Sequence, residues 1–226
     1  ISAKGGNGGK GASVEVDRLN PVNCDPCYAG TSVPGTPGAN GGSVTLISDG
    51  PISTSFIHVD AGFGGDGAPG CQGIYGPAGQ PSAGQPGGKG GIISVSQSGT
   101  AVGPIVGSLS ATGSKGGRGG DGATGTSGST AGANGANGGA GGSITVSGFE
   151  PSVRSISTFG GAGGDGGRGA SAVDLETVVC EDCWNNIIFH LCGVTETGRD
   201  GGNAGHGGAG GPLTVSATRD VLLSGP

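Results

Sequence analysis

The chain has 226 residues, of which 59 are glycine, while 32% are hydrophobic and 4% are aromatic. Such a composition cannot fill a conventional core of large side chains, because ordinary domains contain roughly 7% glycine. The net charge of −6 argues against a basic patch that binds nucleic acid or an anionic membrane, and no apolar run approaches the roughly 20 residues of a membrane span.

In chain order, pairs of short strands alternate with glycine runs. Residues 1–3 have the pattern of a strand end, and they lead into a glycine run and a loop with two cysteines. Alternating apolar side chains then predict strands, and Asp-Gly-Pro at residues 49–51 predicts the turn between the first two. The predicted pairs are 43–47 with 55–59, 92–95 with 105–109, 143–148 with 155–159, and 213–215 with 221–223.

The strand pairs recur about every 50 residues, with one longer interval. The matching apolar positions are Val44, Ile93, Ile144 and Leu213. Repeats of this length indicate stacked units, each too small to bury a core by itself. We therefore predict a single repeat domain over residues 1–226. Its units are approximately 1–40 (partial, with a cysteine insertion), 41–89, 90–140, 141–209 (with a second cysteine insertion) and 210–226 (partial).

The glycine runs keep a Gly-Gly-x phase, which is clearest at residues 160–169. A period of three suits an extended left-handed helix with three residues per turn, the polyglycine II form. Its bare faces let neighbouring backbones approach, and its N–H and C=O groups need lateral partners. We predict an all-β repeat of stacked strand pairs, a solenoid or a sandwich, with a bundle of left-handed polyglycine II helices. The alternative is a β-helix that carries flexible glycine-rich loops.

Six cysteines lie in loop-like stretches of the sequence. An even count in a chain with a thin core indicates disulfides and an oxidising compartment, so we expect a secreted, extracellular protein. Two Cys-x-x-Cys pairs also match half of a zinc site, which is the alternative. The absence of methionine and the start at Ile1 indicate a processed chain. The disulfide candidates are Cys24, Cys27, Cys71, Cys180, Cys183 and Cys192.

No constellation of catalytic residues stands out in the sequence. His58, His190 and His206 are scattered, and no cysteine or serine lies in a nucleophile motif. The recurring Gly-Gly-Asp-Gly motif lacks the spacing of the calcium nonapeptide, so its aspartates are expected on a solvated face. We expect neither enzyme activity nor a cofactor or metal ion. The aspartates in question are Asp66, Asp121 and Asp165.

Aromatic and apolar side chains gather in the cysteine-containing loops. The densest group lies between Cys183 and Cys192 and favours a small satellite core pinned by disulfides. If it is exposed instead, the same group is an interaction patch. The residues of this predicted patch are Trp184, Ile188, Phe189, Tyr28 and Tyr75.

The Gly-Gly-x runs resemble those of two groups of proteins, the springtail antifreeze proteins and the polyglycine tip adhesins of T-even-like phages. The resemblance covers the glycine runs and not the strand pairs. It implies polyglycine II helices packed in a bundle, and ice binding or receptor binding as functions. The runs are 5–11, 64–67, 87–91, 116–122, 138–142, 160–169 and 207–211.

The expected function is a secreted structural subunit of an extracellular filament or surface layer. The partner is a second copy of the chain, joined head-to-tail, with a cell-surface glycan or protein as a further partner. A receptor-binding adhesin is the alternative, and an ice-binding protein is the third. The predicted assembly contacts are Ile1, Ser2, Ala3, Leu213, Val215, Val221, Leu222 and Leu223.

Overall fold

The computed structural model describes residues 1–13, 32–71, 78–99, 103–124, 128–171, 180–181, 187–188 and 198–223. All secondary structure in these residues is β-strand, as the sequence predicted. Across the same residues, no helix is long and apolar enough to cross a membrane.

The strands are short and rich in Ser, Thr, Val and Ile, of which the β-branched Thr, Val and Ile favour the extended backbone of a sheet. Most of them have five or six residues, and the remainder have two. They are β1 (Ala12–Ser13), β2 (Ser32–Val33), β3 (Ser43–Ser48), β4 (Ser53–His58), β5 (Ile92–Gln97), β6 (Ile105–Ser110), β7 (Ser143–Gly148), β8 (Ser152–Ser157), β9 (Cys180–Glu181), β10 (Ile187–Ile188), β11 (Leu213–Ala217) and β12 (Leu222–Leu223).

Two four-stranded parallel sheets form the centre of the fold. Sheet 1 has the order β3-β5-β7-β11, and sheet 2 has the order β4-β6-β8-β12. Each strand therefore pairs with its equivalent in the next repeat, and the two strands of one repeat belong to different sheets. Two antiparallel ladders, β1 with β2 and β9 with β10, stand apart from these sheets. The architecture is a β-rich stack of repeats.

The register of sheet 1 confirms the alignment made from the sequence. Val44 pairs with Ile93, Ile93 with Ile144, and Ile144 with Leu213. The inward side chains of β3, β5 and β7 pack with those of sheet 2 in one apolar core. Its buried members are Val44, Ile57, Val59, Ile93, Val95, Val106, Leu109, Ala111, Ile144, Val146 and Val153.

Glycine-rich segments extend from the strands in two layers. The outgoing layer contains the segments that follow a strand of sheet 2, and the returning layer contains those that precede a strand of sheet 1. The outgoing segments are 3–11, 59–71, 111–124 and 158–171. The returning segments are 34–42, 78–91, 128–142 and 198–212.

Backbone hydrogen bonds join these segments at every third residue. Within the outgoing layer, the N–H groups of Gly64, Gly67 and Gly70 donate to carbonyls on the next outgoing segment at 2.8–3.0 Å. Between the layers, glycine N–H groups follow the same period, as in the 2.8 Å bond from Gly161 to Gly139. The glycine runs are thus hydrogen-bonded to neighbouring segments on two sides, whereas flexible linkers make no such regular bonds.

Glycine is required where these backbones meet. A Cβ atom added at Gly163 would overlap the carbonyl oxygen of Gly205, and one added at Gly139 would overlap that of Gly88. Real Cβ atoms do not approach a backbone oxygen so closely, so a larger residue would push the segments apart.

Candidate functional site

Every third residue of the glycine-rich segments, the x position, is exposed or partly buried on one of two surfaces. We call them the outgoing face and the returning face, after the layer that bears them. The outgoing face carries Lys4, Asn7, Lys10, Asp60, Phe63, Asp66, Thr112, Lys115, Arg118, Asp121, Phe159, Ala162, Asp165 and Arg168. The returning face carries Pro34, Pro37, Asn40, Gln80, Ala83, Pro86, Lys89, Ala131, Asn134, Asn137, Ala140, Asp200, Asn203, His206 and Ala209.

The two faces differ in charge. The outgoing face mixes basic and acidic side chains with two exposed rings, Phe63 and Phe159. The returning face is mostly Pro, Ala and Asn, with Lys89 and Asp200 as its charged residues, and it also carries His206. A regular surface with few charged residues and a surface with many therefore lie on two different layers of the same structure.

Asparagine and aspartate side chains on both faces cap backbone N–H groups of the following segment. The Oδ1 atom of Asp66 accepts from the N–H of Arg118 at 2.9 Å, and that of Asn137 accepts from His206 at 2.9 Å. The prediction that the Gly-Gly-Asp-Gly aspartates are solvated missed this role. The signal was in the sequence: an Asx residue recurs one repeat before each capped position. The other capping residues are Asn7, Asn40, Asp60, Asp121 and Asn134.

Asp60 is the most extensively bonded side chain of the outgoing face. Its Oδ1 atom accepts from the Ser110 hydroxyl at 2.6 Å and from the N–H and hydroxyl of Thr112 at 2.9 and 2.8 Å. Partial burial acts to raise the pKa of Asp60, but these hydrogen bonds and the charge of His58, 3.7 Å away, outweigh it. The pKa of Asp60 is therefore held below its ordinary value.

The first and last segments of each layer form the two edges of the stack. Within a layer, an N–H of the earlier segment donates to a carbonyl of the later segment, as in Gly116 to Ala162 and Gly138 to His206. The equivalent N–H groups of the last segments donate to no described residue. The equivalent carbonyls of the first segments accept no hydrogen bond from a described residue. The edge donors are Gly160, Gly163, Gly166, Gly169, Gly201, Ala204, Gly207 and Gly210, and the edge acceptors include Lys4, Asn7 and Lys10.

The predicted assembly contacts lie on these edges. Ser2 bridges to His58 of β4 in parallel, so Ile1–Ala3 borders sheet 2 on its first side. On the other side, Leu213 and Val215 belong to β11, and Leu222 and Leu223 belong to β12. Leu213 is 49% exposed although its ladder partner Ile144 is 1% exposed, so the apolar core is open at this edge. Val221 and Leu222 are also exposed.

The disulfide and aromatic predictions fall mainly outside the described residues. Cys71 is buried, and Cys180 lies in β9. Ile188 lies in β10, but nothing is described of its side chain. The disulfide pattern and the patch stay predictions. The residues named in the sequence analysis that lie outside the described residues are Cys24, Cys27, Cys183, Cys192, Tyr28, Tyr75, Trp184, Phe189 and His190.

Metal ligands do not cluster in the described part of the chain. No group of three or more His, Cys, Asp or Glu side chains there could hold a metal ion. His58 stands beside Asp60 near the strand end of the outgoing face, whereas His206 lies on the returning face.

Comparisons with known proteins assign no family to the chain. No family model and no curated protein matches the chain. A solved structure similar to it is the antifreeze protein of the springtail Granisotoma rainieri, described as a bundle of nine polyproline type II helices. The identity is 20% over 77% of this chain and 93% of that chain, with a TM-score of 0.14. A likeness of that degree assigns neither fold nor function.

Proposed function

We propose that the chain is a structural subunit of an extracellular filament or surface layer, in which copies stack head-to-tail. The observation that carries the proposal is the polarity of the two edges. The last segments present N–H donors, and the first segments present carbonyl acceptors, in the spacing that joins neighbouring segments inside the chain. An edge of unpaired backbone groups is a template for another copy.

The glycines at the last edge support the same contact. A Cβ atom at Gly138 would overlap the carbonyl oxygen of Gly161, but one at the equivalent Gly207 would meet its nearest atom, the same oxygen, at 3.7 Å. Gly6, on the first edge, has no atom within 4 Å of such a Cβ. The single chain does not require glycine at these positions, whereas a second copy stacked on the edge would.

We further infer that the glycine-rich segments are left-handed polyglycine II helices. Their lateral hydrogen bonds recur every third residue and alternate between a neighbour in the same layer and one in the other layer. Three residues per turn, with all backbone bonds made to neighbours, is the pattern of that helix. Backbone dihedral angles from NMR chemical shifts of residues 160–169 would test the assignment.

The stacking proposal is tested by the mass of the native chain at increasing concentration. Light scattering should show growth in steps of one 21.0 kDa chain, and negative-stain microscopy should show filaments. Gly207→Val should keep the melting temperature of the isolated subunit and remain a monomer, because the added side chain protrudes from the edge. The matched control is Ala131→Val, on the returning face away from both edges, which should assemble like the unaltered chain. Filaments formed by Gly207→Val would contradict the proposed contact.

The returning face supports a second candidate function, the binding of ice. Its Ala, Pro and Asn side chains form a regular array, with ranks separated by roughly 9.3 Å along each helix if three residues rise 3.1 Å each. Few charged groups hold water tightly there, since Lys89 and Asp200 are its charged members. Most of the charged x positions, whose side chains would hold water tightly, lie on the outgoing face and not on this one.

Thermal hysteresis measurements compare the two faces directly. If the returning face binds ice, Ala83→Arg should abolish the hysteresis gap, because a charged side chain would interrupt the array. Ala162→Arg, an exposed alanine on the outgoing face, should leave the gap unchanged. Equal loss in both variants, or no hysteresis in the unaltered chain, would exclude this function. The adhesin alternative depends on loops outside the described residues and stays a prediction.

A further inference from the structure

The outgoing face contains a groove of about 460 Å³ that crosses all four outgoing segments. Ladder hydrogen bonds align the side chains of the outgoing face in rows that run from segment to segment. The first row contains Lys4, Asp60, Thr112 and Phe159, and the second contains Asn7, Phe63, Lys115 and Ala162. The third row contains Lys10, Asp66, Arg118 and Asp165.

Ion pairs bridge the other spaces between rows. Lys115 and Asp165 pair at 3.2 Å between the second and third rows, and Arg118 pairs with Asp121 beyond the third. Among the described residues, no ion pair spans the first and second rows, and the groove lies between these two. It is therefore a channel that side chains leave open.

We propose that this groove binds an acidic polysaccharide, a chain of sugar rings that carry carboxylates. The exposed ring of Phe63 offers an apolar wall for the face of a sugar ring, while Lys4 and Lys115 offer cations for its carboxylate. Asn7 and Thr112 add polar groups for hydroxyls. A groove that crosses four segments suits an extended polymer better than a compact molecule.

Among the described residues, Asp60 is the one acidic group that lines the groove, and its oxygens are already engaged by neighbouring groups. Its Oδ1 atom is occupied by Ser110 and Thr112, and its Oδ2 atom lies 3.7 Å from Nδ1 of His58. Lys4 has no ion pair among the described residues, whereas Lys115 forms an ion pair with the exposed Asp165. We therefore place the carboxylate of the sugar at the Lys4 end.

The test is calorimetric titration of the chain with a galacturonic acid oligomer and with the same oligomer after methyl esterification. The acid form should bind and the ester should bind at least about tenfold more weakly, a change of roughly 1.4 kcal/mol. Lys4→Gln and Phe63→Ala should each weaken the acid form by a similar factor. Raised salt should weaken it further, because the groove is open to solvent.

Two matched controls lie on the same face outside the groove. Lys10→Gln removes a charge from the same segment as Lys4, and Phe159→Ala removes a second exposed ring. Both should bind like the unaltered chain. Equal binding of acid and ester, equal loss in the controls, or no binding would each overturn the proposal. Because the groove belongs to a single chain, the monomeric Gly207→Val variant should retain binding, which separates this result from the fate of the stacking proposal.

Discussion

The stacked sheets and the glycine-rich layers share one repeat, yet they use side chains in opposite ways. In the sheets, parallel strands are held because Val, Ile and Leu fill the space between the two ladders. In the layers, neighbouring backbones approach closely because glycines, which have no side chain, line most of the space between them. In both regions, backbone N–H and C=O groups form hydrogen bonds with the neighbouring strand or segment.

This contrast predicts opposite sensitivities to mutation. A buried side chain in the sheets contributes by its volume, so its removal leaves a cavity. A glycine in the layers contributes by its lack of volume, so an addition causes overlap. Substitutions can therefore test whether both regions belong to one cooperative structure.

The largest effect is expected from Ile93→Ala. Ile93 is fully buried at the centre of sheet 1, with Val44 and Ile144 as ladder partners. Truncation should lower the free energy of unfolding by about 4 kcal/mol, within the range measured for buried aliphatic residues. Denaturant unfolding measures it. Ile92→Ala is the control, because that side chain is 55% exposed, and a comparable loss there would refute the assignment of the two sheet faces.

A somewhat smaller loss is expected from Gly163→Val. The added side chain would overlap the carbonyl of Gly205, and the two segments would have to separate, at a cost of about 3 kcal/mol. The control is Gly207→Val, measured at dilutions where the subunit is a monomer, and it should change stability little. If Gly163→Val melts like the unaltered chain, the layers are not packed as described.

The sequence sufficed for the parts of the fold that depend on periodicity. The alternation in Ser-Ile-Thr-Val identified β7, and the repeat of Val44, Ile93 and Ile144 identified the register of sheet 1. Periodicity in one strand does not say which strand pairs with which, so the placement of β3 and β4 in different sheets required the structure.

The candidate surfaces were predictable in kind but not in position. Gly-Gly-x phase showed that x residues would share a solvated side, yet it could not distinguish outgoing from returning segments. The separation of Lys115 and Arg118 from Ala131 and Asn134 depends on chain direction, which the strands set. The open edges likewise depend on the direction of hydrogen bonding, which residue types do not encode.

A smaller loss of stability is expected where a side chain accepts a hydrogen bond from a backbone N–H group of the layers. Asn137→Ala removes the acceptor for the N–H of His206 and exposes that group to water. The loss should be about 0.5–1 kcal/mol, the lower part of the range for one hydrogen bond, with faster exchange of the His206 amide. Asn203→Ala is the control, since the Asn203 side chain caps no described residue. Equal effects of the two variants would show that capping does not contribute.

The smallest effect concerns the junction of the two regions, where Asp60 follows β4. The folded state holds the pKa of Asp60 below its value in the unfolded chain, so the unfolded state binds the proton more readily. The resulting stability is present above the unfolded pKa of about 3.9 and is lost as the pH falls through the lower folded value. Between roughly pH 5 and pH 3, a range that brackets the unfolded pKa, the melting temperature should therefore drop less in Asp60→Asn than in the unaltered chain. Asp165→Asn removes a charge from the same face, but its ion pair is exposed and contributes little, so it should leave the drop intact. A drop unaffected by Asp60→Asn would mean that the bonds from Ser110 and Thr112 do not favour the carboxylate.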